Sequence, residues 1–184
     1  IPVPYTVVVR NWEPDAFVLT PAERKKLGRP FIIKPARGYG KRGVSLVDGR
    51  SLQEIVRARR LDKGDDFLFQ QLVEPRWFGH RMGWFRMFYV LGDVIPCWWD
   101  KATEHYACVT VDEFDQYELL AVCDIVWQIA RTAYMNFVTT ELVIHGRGGD
   151  RRYATIDYVN DQCDTTLQSH SHCGVPDRVV NRLA

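Results

Sequence analysis

The sequence has no CxxC pair, although its 184 residues include five cysteines: Cys97, Cys108, Cys123, Cys163 and Cys173. An odd number without paired spacing argues against a disulfide framework and reads as reduced thiols of a cytoplasmic protein. No charge of one sign dominates, since 24 Lys and Arg stand against 23 Asp and Glu, for a formal net charge of +1. A nucleic-acid partner is therefore not expected, because such domains carry a basic surplus. No apolar run approaches the ~20 residues of a membrane helix, so no membrane partner is expected either. The chain opens at Ile1, without Met, and shows no signal peptide. Internal repeats, low-complexity tracts and Ser/His/Asp or Cys/His nucleophile signatures are also missing.

What is present suffices for a folded core, with 46% hydrophobic residues. Tryptophan is over-used: Trp77, Trp84, Trp98 and Trp99 fall in one stretch. Residues this large are most often core, and stacking on a ligand ring is the minor reading. Thr20-Pro21-Ala22-Glu23 predicts a helix with a capping box, ending near Gly28. Strands are predicted at 30–35 and 44–47, forming a hairpin around residues 37–43, and at 67–73. Ser51 and Glu54 predict a second capping box, for a helix over 51–60. Two strands at 84–90 and 94–99 flank a turn at Leu91-Gly92-Asp93. A strand at 105–111, a long helix at 115–134, paired strands at 139–144 and 153–158, and a short helix at 175–183 complete the reading. This order predicts an α+β protein of two lobes, 1–73 and 74–184, meeting near Glu74-Pro75.

Three segments carry chemistry. In Lys34-Pro35-Ala36-Arg37-Gly38-Tyr39-Gly40-Lys41-Arg42-Gly43, the glycines allow a tight turn whose successive N–H groups can cradle an anion. Lys34 brings a point charge to the loop's entrance, and Arg37 and Lys41 add positive potential. This is neither a P-loop nor a dinucleotide fingerprint, because the loop leads into a strand. The alternative is a basic surface turn. The second segment is Asp157-Tyr158-Val159-Asn160-Asp161, with Glu141 on the preceding strand. Mg²⁺ is held by one or two carboxylates plus substrate phosphates, and an asparagine oxygen can join them. The alternative is a solvated turn. In the third, Gln70, Gln71, Leu72 and Val73 end a strand whose backbone edge and amide side chains could read an adenine edge; the alternative is an ordinary strand. The tail from Cys163 to Cys173 holds His170 and His172 without a strong zinc spacing, and reads as a loop. Its polar run Thr165, Thr166, Gln168 and Ser169 is a weaker candidate for an acceptor pocket.

Together, and in this order, these segments resemble the ATP-grasp superfamily over nearly the whole chain. The resemblance implies an ATP-grasp fold, two α+β lobes with largely antiparallel sheets enclosing a nucleotide cleft. It implies ATP and Mg²⁺ (or Mn²⁺) as cofactors, with Lys34 as the phosphate-binding lysine and Arg37 to Gly43 as the loop over the phosphates. Gln70 to Val73 match the adenine hinge. Arg86 matches the basic residue where the second lobe begins, and Lys34 and Arg86 are the candidate catalytic residues. Glu141 and Asp157 match the metal-binding acids and Asn160 their asparagine. Two positions depart from the family pattern. The asparagine usually comes two residues after the second acid, where this chain has Val159, so a bulge must re-aim Asn160 or Asp161 takes the role. Thr139 stands where many ligases have a basic residue. The family's usual front domain has no room before the lysine strand, which suggests a fragment or minimal version.

The implied activity is ligation of a carboxylate to an amine through an acyl phosphate, acting on a small-molecule or peptide substrate. The alternatives are a small-molecule kinase, a non-catalytic ATP-binding module, and an α+β domain without a nucleotide site. A homodimer is compatible with the sequence.

Overall fold

The computed structural model describes residues 1–14, 17–37, 42–60 and 64–184. They divide into two units: Pro4–Val73, and Glu74–Ala184 with Ile1–Val3.

The first unit contains β1 (Thr6–Val9), α1 (Pro21–Leu27), β2 (Phe31–Pro35), β3 (Ser45–Val47), α2 (Leu52–Arg59) and β4 (Phe67–Gln71). Its antiparallel sheet has the order β1-β4-β2-β3. The α1 capping box forms as expected: Glu23 N donates to Thr20 Oγ1 at 3.2 Å and Thr20 N to Glu23 Oε2 at 2.7 Å. Only half of the α2 box forms. Glu54 N donates to Ser51 Oγ at 3.3 Å, while Glu54 Oε2 has no hydrogen-bond partner among the described residues. Strand alternation sends Phe31 and Ile33 into a core with Val9, Leu27, Ile55, Phe67 and Phe69, and leaves Ile32 and Lys34 on the other face. Full burial of each large side chain contributes roughly 1.5–3 kcal/mol. Arg59 lies within this packing, 5% exposed, and donates to the carbonyls of Pro14 (2.6 Å), Glu13 (3.0 Å) and Arg10 (3.2 Å). These bonds offset the cost of removing its charge from water.

The second unit contains β5 (Trp77–Phe78), β6 (Arg81–Met82), β7 (Trp84–Val90), β8 (Asp93–Asp100), β9 (His105–Cys108), α3 (Val111–Gln116), α4 (Leu120–Ala133), β10 (Phe137–His145), β11 (Arg152–Asn160) and α5 (Asp177–Asn181). Five antiparallel strands form one sheet in the order β11-β10-β7-β8-β9, and β5 and β6 pair separately. One face of the sheet offers Phe85, Met87, Trp98, Val138, Leu142 and Ile144 to Val122, Val126 and Ile129 of α4. The opposite face offers Phe88, Val90, Cys97 and Trp99 to Val175 and to Val179 of α5.

The single helix expected over 115–134 is instead two. Thr110 and Glu113 form a capping box that starts α3, and the chain turns left-handed at Glu118 (φ 49) before α4 begins. The apolar repeat from Leu119 therefore belongs to α4 alone. The same capping box ends the preceding strand at Cys108, short of the expected 111. The β5–β6 hairpin was not expected. Among the described residues no helix is long and apolar enough to cross a membrane.

Candidate active site

Antiparallel register puts Asp157, Glu141, Arg86, Cys97 and Cys108 opposite one another in succession across β11, β10, β7, β8 and β9. Directly paired residues project from the same face. Two sequence-predicted acids and the predicted arginine thus share one row. Arg86 Nη1 stands 3.3 Å from Glu141 Oε1, and the two side chains are 14% and 15% exposed. Trp84, two positions before Arg86 on β7, donates its indole N–H to Glu141 Oε2 at 3.2 Å. Both oxygens of Glu141 are engaged, yet a carboxylate has about four lone-pair sites, so a cation can still be accepted. Burial pushes the nearby Tyr106 phenol up, with Arg86 pulling against it. Trp84 stands outside the set of candidates read from the sequence, and the strand period is what places it beside them: it shares a face with Arg86.

Strand β11 is irregular here. Its pairing shifts by one residue between Thr139↔Asn160 and Glu141↔Asp157, and again between Glu141↔Asp157 and Leu142↔Thr155. On β10 two steps separate Thr139 from Glu141, while on β11 three separate Asn160 from Asp157. The extra residue returns Asn160 to the face of Thr139 and Glu141, where plain alternation would carry Val159. Thr140 Oγ1 donates to Tyr158 O at 2.9 Å within this irregular stretch. Asn160 Oδ1 accepts from Gln162 N at 3.2 Å, which fixes the side chain on the outgoing turn. Among the described residues no three His, Cys, Asp or Glu side chains gather as a metal-binding group. Two carboxylates and an amide oxygen are a partial oxygen set, of the kind Mg²⁺ completes with phosphate oxygens and water.

In the first unit, Lys34 is paired with Leu68 in the middle of the sheet. Both borders of the glycine-rich loop are fixed. Arg37 donates its backbone N–H to Asp65 Oδ2 at 2.6 Å and its Nε to Asp65 Oδ1 at 3.2 Å, and Asp65 is 6% exposed. Gly43 has φ +72, and a Cβ there would lie 2.8 Å from Pro35 Cγ. Only glycine fits a left-handed residue so close to a ring. Gly38, Gly40 and Lys41 lie outside the described residues.

The hinge differs from the expected free strand edge. Strand β4 is interior, with β1 on one side and β2 on the other. Gln70 donates its side-chain amide to Thr6 Oγ1 at 3.2 Å, and Gln71 N donates to Tyr5 O at 2.8 Å. The ladder ends at Gln71, and Leu72 and Val73 lie beyond it. In the tail, Gln168 Nε2 donates to Tyr106 O at 2.8 Å and Ser169 N to Asp177 Oδ1 at 3.0 Å. Two members of the polar run therefore tie the tail to β9 and α5. His172 stacks on His105 at 4.8 Å.

No protein-family model matches this sequence, and no curated protein matches it. Solved structures do. The D-cycloserine synthetase DcsG is 17% identical, with 99% of this chain and 63% of that one covered at a TM-score of 0.61. An ATP-grasp RimK domain protein from Sphaerobacter thermophilus is 21% identical, with 100% and 60% covered at 0.59. A D-alanine–D-alanine ligase from Bacillus anthracis, complexed with ATP, is 14% identical, with 98% and 55% covered at 0.58. The chain has the ATP-grasp fold, as its residue pattern implied, and spans 55 to 63% of the length of these three proteins.

Proposed function

We propose that this chain is the ATP-binding core of an ATP- and Mg²⁺-dependent ligase that joins a carboxylate to an amine. The observation that carries the reading is the bulged β10–β11 ladder, which turns Glu141, Asp157 and Asn160 to one face. A similar fold in two ligases or synthetases, one complexed with ATP, supports it. In this reading Lys34 and the loop bordered by Arg37 and Gly43 hold the phosphates. Glu141, Asp157 and Asn160 hold the metal, which would neutralise phosphate charge. Arg86 orients Glu141 through their ion pair and Trp84 through its indole N–H. Leu72 and Val73 meet the adenine.

The chemistry needs no side-chain nucleophile. An oxygen of the substrate carboxylate attacks the γ-phosphorus, and the P–O bond to ADP breaks. The amine then attacks the acyl carbon, the C–O bond to phosphate breaks, and the amine nitrogen loses a proton. The substrate is a small molecule or peptide, and the thiol pattern supports a cytoplasmic setting.

Calorimetric titration with ATP, with and without Mg²⁺, tests the reading. Metal-dependent binding that Asp157→Asn abolishes is expected. ATP binding indifferent to Mg²⁺ and to Asp157→Asn would sink the metal assignment. Phosphate left on the acceptor, rather than released, would make the enzyme a kinase, and tight ATP binding without turnover a non-catalytic module.

A further inference from the structure

A groove of about 500 Å³ opens in the second unit where β7 begins and β8 ends. This volume falls in the range of small-molecule pockets, about 300–1,000 Å³. Its wall is tryptophan, holding Trp77, Trp84, Trp98 and Trp99, four of the chain's six.

Local structure explains why so much aromatic surface gathers there. In the β5–β6 hairpin, Phe78 turns inward against Tyr117 (5.0 Å between rings) and Trp98 (6.0 Å). Alternation then turns Trp77 and its partner Met82 outward, 62% and 40% exposed. Trp99, which also lines the groove, is held by a 4.4 Å stack on Tyr106. Two large apolar side chains left outward beside further indoles make a surface that gains from being covered.

The polar groups of the groove are uneven. Arg81 is paired with Glu113 at 2.9 Å. The Asp100 carboxylate turns back to accept the N–H groups of Ala102 (2.8 Å) and Thr103 (3.4 Å). Lys101 rests its ammonium 3.9 Å from the Trp84 ring centroid. Trp84 is the same residue whose indole N–H meets Glu141 at 3.2 Å. The groove is thus coupled through one side chain to the proposed metal acid, with a cation at the join.

We infer that this groove seats the substrate's side chain, and that the carboxylate substrate carries an aromatic group. Its ring packs against Trp77 and Met82, and its carboxylate lies toward Lys101 and Trp84. The inference rests on the proposed ligase for its chemistry, while the binding it asserts can be measured alone.

The test is titration of the whole chain with indole-3-propionate, 3-phenylpropionate, acetate and indole-3-propionamide, followed by tryptophan fluorescence and calorimetry. The aromatic acids should bind about tenfold or more tighter than acetate. Trp77→Ala, at an exposed hairpin position, should weaken them about fivefold or more and leave ATP binding unchanged. Lys101→Met should weaken the acids and spare the amide. Aromatic acids that bind no tighter than acetate, or that ignore Trp77→Ala, overturn the inference. ATP binding in the same sample separates the two ideas. Bound ATP without aromatic preference sinks the groove and spares the ligase. Aromatic binding without ATP affinity keeps the groove and sinks the nucleotide reading.

Discussion

Arg86 and Glu141 lie directly opposite each other on β7 and β10, with Arg86 Nη1 3.3 Å from Glu141 Oε1 and neither side chain more than 15% exposed. A pair this enclosed is costly to break from one side, because the remaining charge stays buried without compensation. Glu141→Gln should therefore destabilise the second unit by about 3 kcal/mol in urea unfolding, and Arg86→Met by a similar amount. The double variant Arg86→Met with Glu141→Gln should lose less than the sum of the two. Strict additivity would mean that the two groups do not interact.

The extra residue in β11 offers a sharper test. Asn160 lies three positions after Asp157, and the register shift alone puts the two on one face. Removing Val159 shortens the spacing to two, which a regular strand accommodates with the same facing. The shortened protein should keep Mg²⁺-dependent ATP binding within about threefold, about 0.6 kcal/mol, of the original. Asn160→Ala in the undeleted chain should weaken it. If the deletion abolishes metal-dependent binding and Asn160→Ala does not, Asn160 is no part of the site.

That bulge also marks the limit of what the residues alone convey. Strand alternation makes a bulge necessary if Asn160 is to join Glu141, but only pairing with β10 decides whether it forms. Short-range chemistry was legible: Thr20, Pro21 and Glu23 specify α1 through bonds within one turn. The break between α3 and α4 was obscured because a strong apolar repeat beyond Glu118 made the preceding residues look like its continuation. The β5–β6 hairpin escaped because two-residue strands have no periodicity to detect. The interior position of β4 is a property of sheet order, which no local pattern in Phe69 to Val73 encodes.

Tyr134 ends α4 in the left-handed conformation, at φ 54 and ψ 39, with 96% of its surface exposed. A side chain there bears the clash that makes glycine the usual helix-ending residue, about 1 kcal/mol, and has little packing to lose. Tyr134→Gly should stabilise the second unit by about 1 kcal/mol, seen as a rise of about 2–4 °C in Tm. A fall in Tm would mean that the tyrosine makes a contact worth more than its backbone strain.

Cys97 and Cys108 face each other across β8 and β9 with their sulfurs 3.6 Å apart. The Cys97 thiol donating to Cys108 lowers the Cys108 pKa to about 7, and the Arg178 charge helps against the opposing effect of burial. Cys97, deeply buried and acting as the donor, is pushed well up. Burial and Asp124 push Cys123 up to about 11. The thiolate is the reactive form, so a lowered pKa brings reactivity in at lower pH. Iodoacetamide labelling of Cys108, scaled to its own plateau, should rise through a midpoint near pH 7, while Cys123 is still climbing at pH 9. Peptide mass spectrometry follows each site separately. Cys97→Ala removes the donor and should move the Cys108 midpoint upward. If that midpoint stays in place, the lowering comes from Arg178 and not from the neighbouring thiol.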